Sequence, residues 1–176
     1  MHSILQTQLW INPLIFLVLL AFPTVPNGPQ FIKSYRNENT KPLTYMEKQP
    51  LEVVRDFLTA VQQGDREKVV ASLHPEVQWH QPGNNRIAGL KRSREEVLAM
   101  AGWIHQYTEG SYQLKSFSKL SGNGQAVAVL IHFNAATPVA LLKVDNIDVY
   151  TVTDGLITEV SVFSADIEHE DRFWGK

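Results

Sequence analysis

The sequence predicts an α+β domain in which a curved, mostly antiparallel sheet forms a cone around three N-terminal helices, with a short helix at the C-terminus. Apolar residues recur at helical spacing after Leu51 and again after Ser93. Long β-type runs come later in the chain, separated by Asn123-Gly124 and Asp154-Gly155, which are typical of hairpin turns. The resulting order of elements is α-α-β-α-β-β-β-β.

The first two helices have recognisable start and stop residues. Pro50 suits the first turn of a helix and Gly64 suits its C-terminal cap. The apolar stripe between them consists of Leu51, Val54, Leu58 and Val61. Asp65 can cap a second helix, Arg66–Leu73, which His74-Pro75 would end.

The third and last helices are also marked by capping residues. Ser93 followed by Glu96 three residues later is a capping-box signal, and we expect this helix to end near Gly110. Asp166 can cap a short terminal helix that carries Trp174.

Five segments have the composition and alternation of β-strands. The first opens into the polar turn Pro82–Asn85, and the third and fourth are joined at Thr137-Pro138. The segments are Val77–Gln81, Tyr112–Leu120, Gln125–Ala136, Leu141–Val152 and Leu156–Ser164.

Composition excludes several classes of function. The formal charge of −2 gives no electrostatic footprint for nucleic acid. Cysteine is absent, which excludes disulfides, thiolate metal ligands and a cysteine nucleophile. The sequence contains no GxSxG, P-loop or GxGxxG motif, and its histidines lack metal-ligand spacing. We therefore expect neither a metal nor a cofactor.

Residues 1–45 differ from residues 46–176, which form the predicted domain. Leu14–Phe22 is an apolar run too short to span a bilayer, and no Lys or Arg precedes Lys33. The residues between Phe22 and Met46 resemble a disordered linker. We favour an extension upstream of a start at Met46, which implies a cytoplasmic protein. The alternative is export or membrane association through residues 9–22.

The order and spacing of these residues resemble the nuclear transport factor 2-like superfamily, and most closely its SnoaL-like branch, which includes polyketide cyclases and relatives of ketosteroid isomerase. The resemblance covers about Leu51 to Trp174. It implies a pocket at the wide end of a cone and a homodimer formed through the outer sheet face. The matching residues are Val54, Phe57, Leu58, Val61, Gly64, Asp65, Val69, Leu73, Val77, Trp79, Pro82, Gly83, Gly89, Asp148, Tyr150, Asp154, Gly155, Ile157, Glu159 and Val160.

The chain differs from the isomerases at two of their three catalytic positions. The resemblance implies a carboxylate base at the position of Gln81 and a tyrosine donor at the position of Phe57, and neither residue here can take that role. Asp148 aligns with the second oxyanion donor of those enzymes, a carboxylic acid. Steroid-type isomerisation is therefore not expected, and Asp148 is the first catalytic candidate.

Two histidines are further catalytic candidates, because histidine titrates near neutral pH. His80 points to the opposite face from Gln81, so at most one of them faces a given cavity. His132 either lies outward as a hydrogen-bonded side chain, which we favour, or faces the pocket with Asp148 as its orienting carboxylate. Glu168–Asp171 is expected to be a solvated charged run.

The expected pocket wall is largely aromatic. Polar residues on the face of the strand that carries Asp148 line either this pocket or a polar interface. We expect a small apolar or aromatic molecule as ligand, and we keep open an acid/base enzyme (isomerase, cyclase or dehydratase) acting on a carbonyl compound. The ligand-binding candidates are Phe57, Trp79, Gln81, Trp103, Tyr107, Asn146 and Tyr150.

Overall fold

The computed structural model describes residues 48–176, and the expected boundary at Met46, with everything before it, lies outside the described residues. The helices are α1 (Pro50–Gln63), α2 (Arg66–Ser72), α3 (Arg94–Tyr107) and α4 (Ile167–Trp174). The strands are β1 (Leu73–Gln81), β2 (Gly89–Lys91), β3 (Gln113–Asn123), β4 (Ala126–Thr137), β5 (Ala140–Thr153) and β6 (Leu156–Ser164).

The six strands form one curved, unclosed sheet in the order β2-β1-β6-β5-β4-β3. Every neighbouring pair is antiparallel except β1 and β6, which run parallel. The predicted α+β class with a mostly antiparallel sheet is confirmed.

Two details of the sheet differ from those predicted from the sequence. Strand β2 was missed because three residues are too few to show alternation. Strand β1 begins at Leu73, and Pro75 lies inside it instead of ending α2 just before the strand. The pairing with β6 skips from Leu73 to Gln78, so the proline, which has no N–H, interrupts no regular ladder.

The helix ends carry the predicted caps. Gly64 adopts φ 68°, a left-handed conformation that glycine tolerates at a helix C-terminus. The side chains of Asp65, Ser93 and Asp166 accept hydrogen bonds from backbone N–H groups three residues later, at 3.1, 3.2 and 2.9 Å.

The core lies between the helices and the inner face of the sheet. Alternate residues of β4, including Val127, Val129 and Ile131, are buried there against α1. A second buried cluster joins Ile104 of α3 to Phe173 and Trp174 of α4 over the other end of β5. No helix within residues 48–176 combines the length and apolar content needed to cross a bilayer.

We predict that Ile131→Ala lowers the free energy of unfolding by about 2–5 kcal/mol, because Ile131 is fully buried and the surrounding residues cannot collapse completely onto the space left behind. The matched control is Ile167→Ala, since Ile167 is 44% exposed. That variant should lose less than about 1 kcal/mol. Urea unfolding monitored by circular dichroism measures both, and equal losses would contradict this account of the core.

Candidate functional site

A cavity of about 160 Å³ lies between the helices and the inner face of the sheet. Side chains from all four helical regions and from the central strands line it, and most are apolar. The apolar aliphatic members include Leu58, Val61, Val69, Leu73, Val97, Leu98, Met100, Ala101, Ile104, Leu114, Leu142 and Val144. Such a space suits a small apolar molecule.

Strand β5 places a row of polar side chains in this cavity. Side chains of a strand alternate between its faces, so Asn146, Asp148 and Tyr150 all point inward and are buried. Their neighbours Asp145 and Ile147 point outward and are exposed. Of the two interpretations left open by the sequence for this polar face, the structure therefore supports the pocket.

Asp148 is the most unusual of these residues, because it is a carboxyl group with only 3% of its surface exposed. The hydroxyl of Tyr150 donates a hydrogen bond to Asp148 Oδ2 at 3.1 Å. Asp148 Oδ1 has no hydrogen-bond partner among residues 48–176. Burial raises the pKa of Asp148 to about 7, and the nearby charge of Glu170 adds to this effect, while the Tyr150 hydrogen bond opposes it.

Glu170 is a second buried carboxyl group in the cavity wall. It is 5% exposed, so the expectation of a solvated charged run is wrong for this residue. With its amide oriented to donate, Asn146 lies 3.3 Å from Glu170 Oε1 and 2.9 Å from the carbonyl oxygen of Asp145. Burial raises the pKa of Glu170, while hydrogen bonding from neighbours including Ser164 and Asn146 opposes the shift.

The position of Glu170 follows from how α4 packs. Residues 170, 173 and 174 share one helix face, and Phe173 and Trp174 are buried against the sheet and α3. Glu170 is therefore drawn inward with them. The spacing from Glu170 to the two aromatic residues was the available signal, and the neighbouring charges at Glu168 and Asp171 obscured it.

Tyr112, just before β3, is another wall residue, and it was not among the predicted ligand-binding residues. Its ring stacks on Phe133 with centroids 5.0 Å apart, and it lines the cavity. Burial, with the charges of Asp148 and Glu170, raises the pKa of Tyr112 well above its usual range. No signal in the sequence distinguished it from an ordinary strand aromatic.

Three of the expected ligand-binding residues on other elements lie in the wall. Phe57 of α1 meets the Tyr150 ring edge-on at 5.9 Å. Trp79 and Gln81 share a face of β1, and the indole N–H of Trp79 donates to Gln81 Oε1 at 3.2 Å. This bond uses the amide oxygen of Gln81 and leaves its amide N–H groups available.

Trp103 and Tyr107 do not line the cavity, contrary to the prediction that they belong to the ligand-binding residues. Their rings stack at 4.8 Å on α3, and the Tyr107 hydroxyl donates to the carbonyl oxygen of Phe173 at 2.8 Å. Both rings also pack against aromatic side chains of α4, and these contacts hold α4 in place. Trp103 also borders a separate shallow cleft with Arg86 and Lys91.

Both candidate histidines lie on the outer face of the sheet. His80 Nε2 is 3.3 Å from Glu159 Oε1, and His132 Nδ1 is 2.5 Å from Asp145 Oδ1. The hypothesis that pairs His132 with Asp148 is wrong, because His132 and Asp148 occupy opposite faces of adjacent strands. His132 instead lies outward as a hydrogen-bonded side chain, which was the favoured prediction.

No histidine therefore accompanies Asp148 in the cavity, and Asp148 and Glu170 are its only carboxyl groups among residues 48–176. Within the same range, no group of three or more acidic or histidine side chains is arranged to hold a metal ion.

Comparisons with known proteins agree with this architecture. The family model described as the SnoaL-like domain matches residues 54–160. An uncharacterized protein of Mycobacterium tuberculosis is 27% identical over 124 residues, which covers 70% of this chain and 95% of that protein.

Two solved structures extend the comparison. A Xanthomonas campestris protein of unknown function with a cystatin-like fold is 31% identical, with a TM-score of 0.71 over 73% of this chain and all of that one. IdmH of Streptomyces antibioticus, assigned as a polyketide cyclase, is 17% identical with a TM-score of 0.59 over 71% of this chain and 98% of that one. The second likeness shows the fold alone.

We predict that Asp148 makes the protein less stable as the pH rises from about 4 to 7. The pKa of Asp148 is about 7 in the folded state against an ordinary value of 3.8, so between these pH values the folded state holds a proton that the unfolded state has lost. The full loss, reached above pH 7, is of the order of 4 kcal/mol.

Asp148→Asn should remove this slope, so the variant should gain stability relative to the parent between pH 4 and 8 in urea unfolding. NMR titration of the Asp148 carboxyl carbon should give a midpoint near 7. A midpoint at or below 4 would refute a desolvated Asp148.

Proposed function

Because the chain belongs to the SnoaL-like domain family, we propose that its cavity binds a small apolar or aromatic molecule and that Asp148 anchors the polar group of that molecule. The observation that carries the proposal is the buried Asp148 Oδ1, which lacks a partner in an otherwise apolar cavity. A buried polar atom without a partner costs free energy, and a ligand group that bonds to it recovers that cost.

The composition of the wall supports an aromatic ligand. Phe57, Trp79, Tyr112 and Tyr150 surround the space with ring surfaces that pack well against another flat molecule. A pocket with apolar walls and a few converging polar groups is the usual form of a small-molecule site. Asn146 and Gln81 add further hydrogen-bonding groups to the same wall.

An acid/base enzyme acting on a carbonyl compound is the second candidate. A neutral Asp148, with a pKa raised by burial to about 7, could donate a hydrogen bond to a carbonyl oxygen as the charge on that oxygen develops. Gln81 stands where the related enzymes have their base, and both histidines face away from the cavity. We therefore favour binding without catalysis.

We predict that 2-indanone, a neutral aromatic ketone, binds this cavity in isothermal titration calorimetry. Asp148→Leu should weaken the binding about tenfold, since leucine has a similar size but cannot donate the hydrogen bond, which is worth about 1 kcal/mol or somewhat more. Asp145→Leu is the matched control, because Asp145 lies on the same strand and faces outward. It should bind the ketone as the parent does.

No detectable binding at millimolar ketone, or equal weakening by the two variants, would contradict the proposed anchor. The same samples distinguish the second candidate. Deuterium exchange at the carbons beside the carbonyl, followed by NMR, should proceed at the buffer rate for a binding protein. Acceleration that depends on Asp148 would favour the enzyme.

The outer face of the sheet is proposed to form a homodimer. Leu130, Ile147 and Phe163 are cross-strand neighbours on β4, β5 and β6, and Ile147 and Phe163 are half-exposed or more. A continuous apolar row on a sheet surface is typical of a protein interface. Two copies related by a two-fold axis would each bury the same row.

Sedimentation at tens of micromolar should therefore give a dimer, and Ile147→Glu should give a folded monomer because it places charge in the centre of the row. Val139→Glu is the control, since Val139 is fully exposed in the turn between β4 and β5. A monomeric parent protein would rule out this interface.

A further inference from the structure

The charges in the cavity wall are all potentially negative. Asp148 and Glu170 are its ionisable acids, Tyr112 and Tyr150 are its phenols, and none of the described residues that line the cavity is Lys, Arg or His. Asp148 and Glu170 come from β5 and α4, so two separate elements bring carboxyl groups to the same cavity. The apolar surroundings supply no compensating positive charge.

An anion, a neutral ketone and a cation would interact differently with the two carboxyl groups. An anion would add negative charge beside two carboxyl groups, which is unfavourable in a space with little water. A neutral ketone satisfies Asp148 only while Asp148 keeps its proton, and it leaves the charge of Glu170 uncompensated. A cation can pair with both groups at once.

We infer that the cavity selects a cationic amine with a small apolar body, and that Asp148 and Glu170 together bind its ammonium group. This inference rests on the proposed binding function and narrows its ligand. Asp148 Oδ1, buried and without a partner among residues 48–176, is the acceptor for one N–H of the ammonium. Glu170, beside Asn146, supplies the second carboxylate.

The aromatic wall suits the same ligand. A cation near the face of a tyrosine or tryptophan ring is attracted by the ring electrons, most strongly where water is excluded. Trp79, Tyr112 and Tyr150 line the cavity together with the two acids. The apolar body of the amine would pack against the aliphatic side chains of α1 and α3.

The two acids also give amine binding a pH dependence opposite to that of the ketone. The groups that face Asp148 are Glu170 from α4, Tyr112 from the start of β3 and Tyr150 of its own strand. Burial keeps the pKa values of both tyrosines well above their usual range, so they stay neutral at pH 5–8, while burial raises the pKa of both acids, that of Asp148 to about 7. An aliphatic amine stays protonated below about pH 9, since its pKa resembles that of lysine.

The experiment compares three ligands with one ring system: 2-aminoindane, 2-indanone and indane-2-carboxylate. Calorimetry at pH 8 should show the amine binding at least ten times more tightly than the ketone and the carboxylate not binding. Between pH 5 and 8 the affinity for the amine should rise, while the affinity for the ketone should fall.

Glu170→Gln separates the two acids, because it should weaken the amine about tenfold and the ketone clearly less, since the ketone bonds only to Asp148. Glu168→Gln is the control on the same helix, with a side chain that is 90% exposed, and it should change neither affinity. If Glu170→Gln fails to fold, the opposite pH dependences of the parent protein decide the question.

An amine that binds no more tightly than the ketone at pH 8, or whose affinity does not rise with pH, overturns this inference while ketone binding leaves the proposed function intact. If none of the three ligands binds at millimolar concentration, both the amine inference and the proposed function fail.

Discussion

The two-residue period of β5 is the constraint on which the site depends. This strand lies between β4 and β6 in the sheet, so its register is held on both edges. Alternation then sends Asn146, Asp148 and Tyr150 into the cavity and Asp145 and Ile147 to the outer face. A slip of one residue would exchange these two sets and bury an isoleucine where the polar row now lies.

Burial of two carboxyl groups in one apolar space is unfavourable for folding, because each charged form loses its hydration. The protein reduces this penalty in two ways that the structure makes visible. The pKa values of Asp148 and Glu170 are both raised by burial, so a proton can replace the missing counter-charge. Tyr150 and Asn146 donate to the carboxyl oxygens. Asp148 Oδ1 is left over, and a fully satisfied structural carboxyl would have no such atom.

The sequence predicted those features that depend on neighbours in the chain. The caps at Asp65, Ser93 and Asp166 follow from spacing alone, and so does the shared face of Asn146, Asp148 and Tyr150 on β5. Glu170 and Tyr107 were misjudged because their surroundings arise only when α4 packs against α3 and the sheet. Likewise, alternation shows that His80 and Gln81 face opposite ways, while only the paired sheet shows which of them is inside.

The C-terminal helix joins the core to the cavity. Phe173 and Trp174 of α4 belong to the second buried cluster, and Glu170 and Trp174 line the cavity. The aromatic contacts from Tyr107 and Trp103 to Phe173 and Trp174 hold α4, and they therefore also hold Glu170 in the cavity wall. A ligand held by both acids would in turn bind α4 to β5 and stabilise the folded state by mass action. Recognition and folding thus share the same helix, and the charge that is costly in the empty cavity becomes the specific contact in the occupied one.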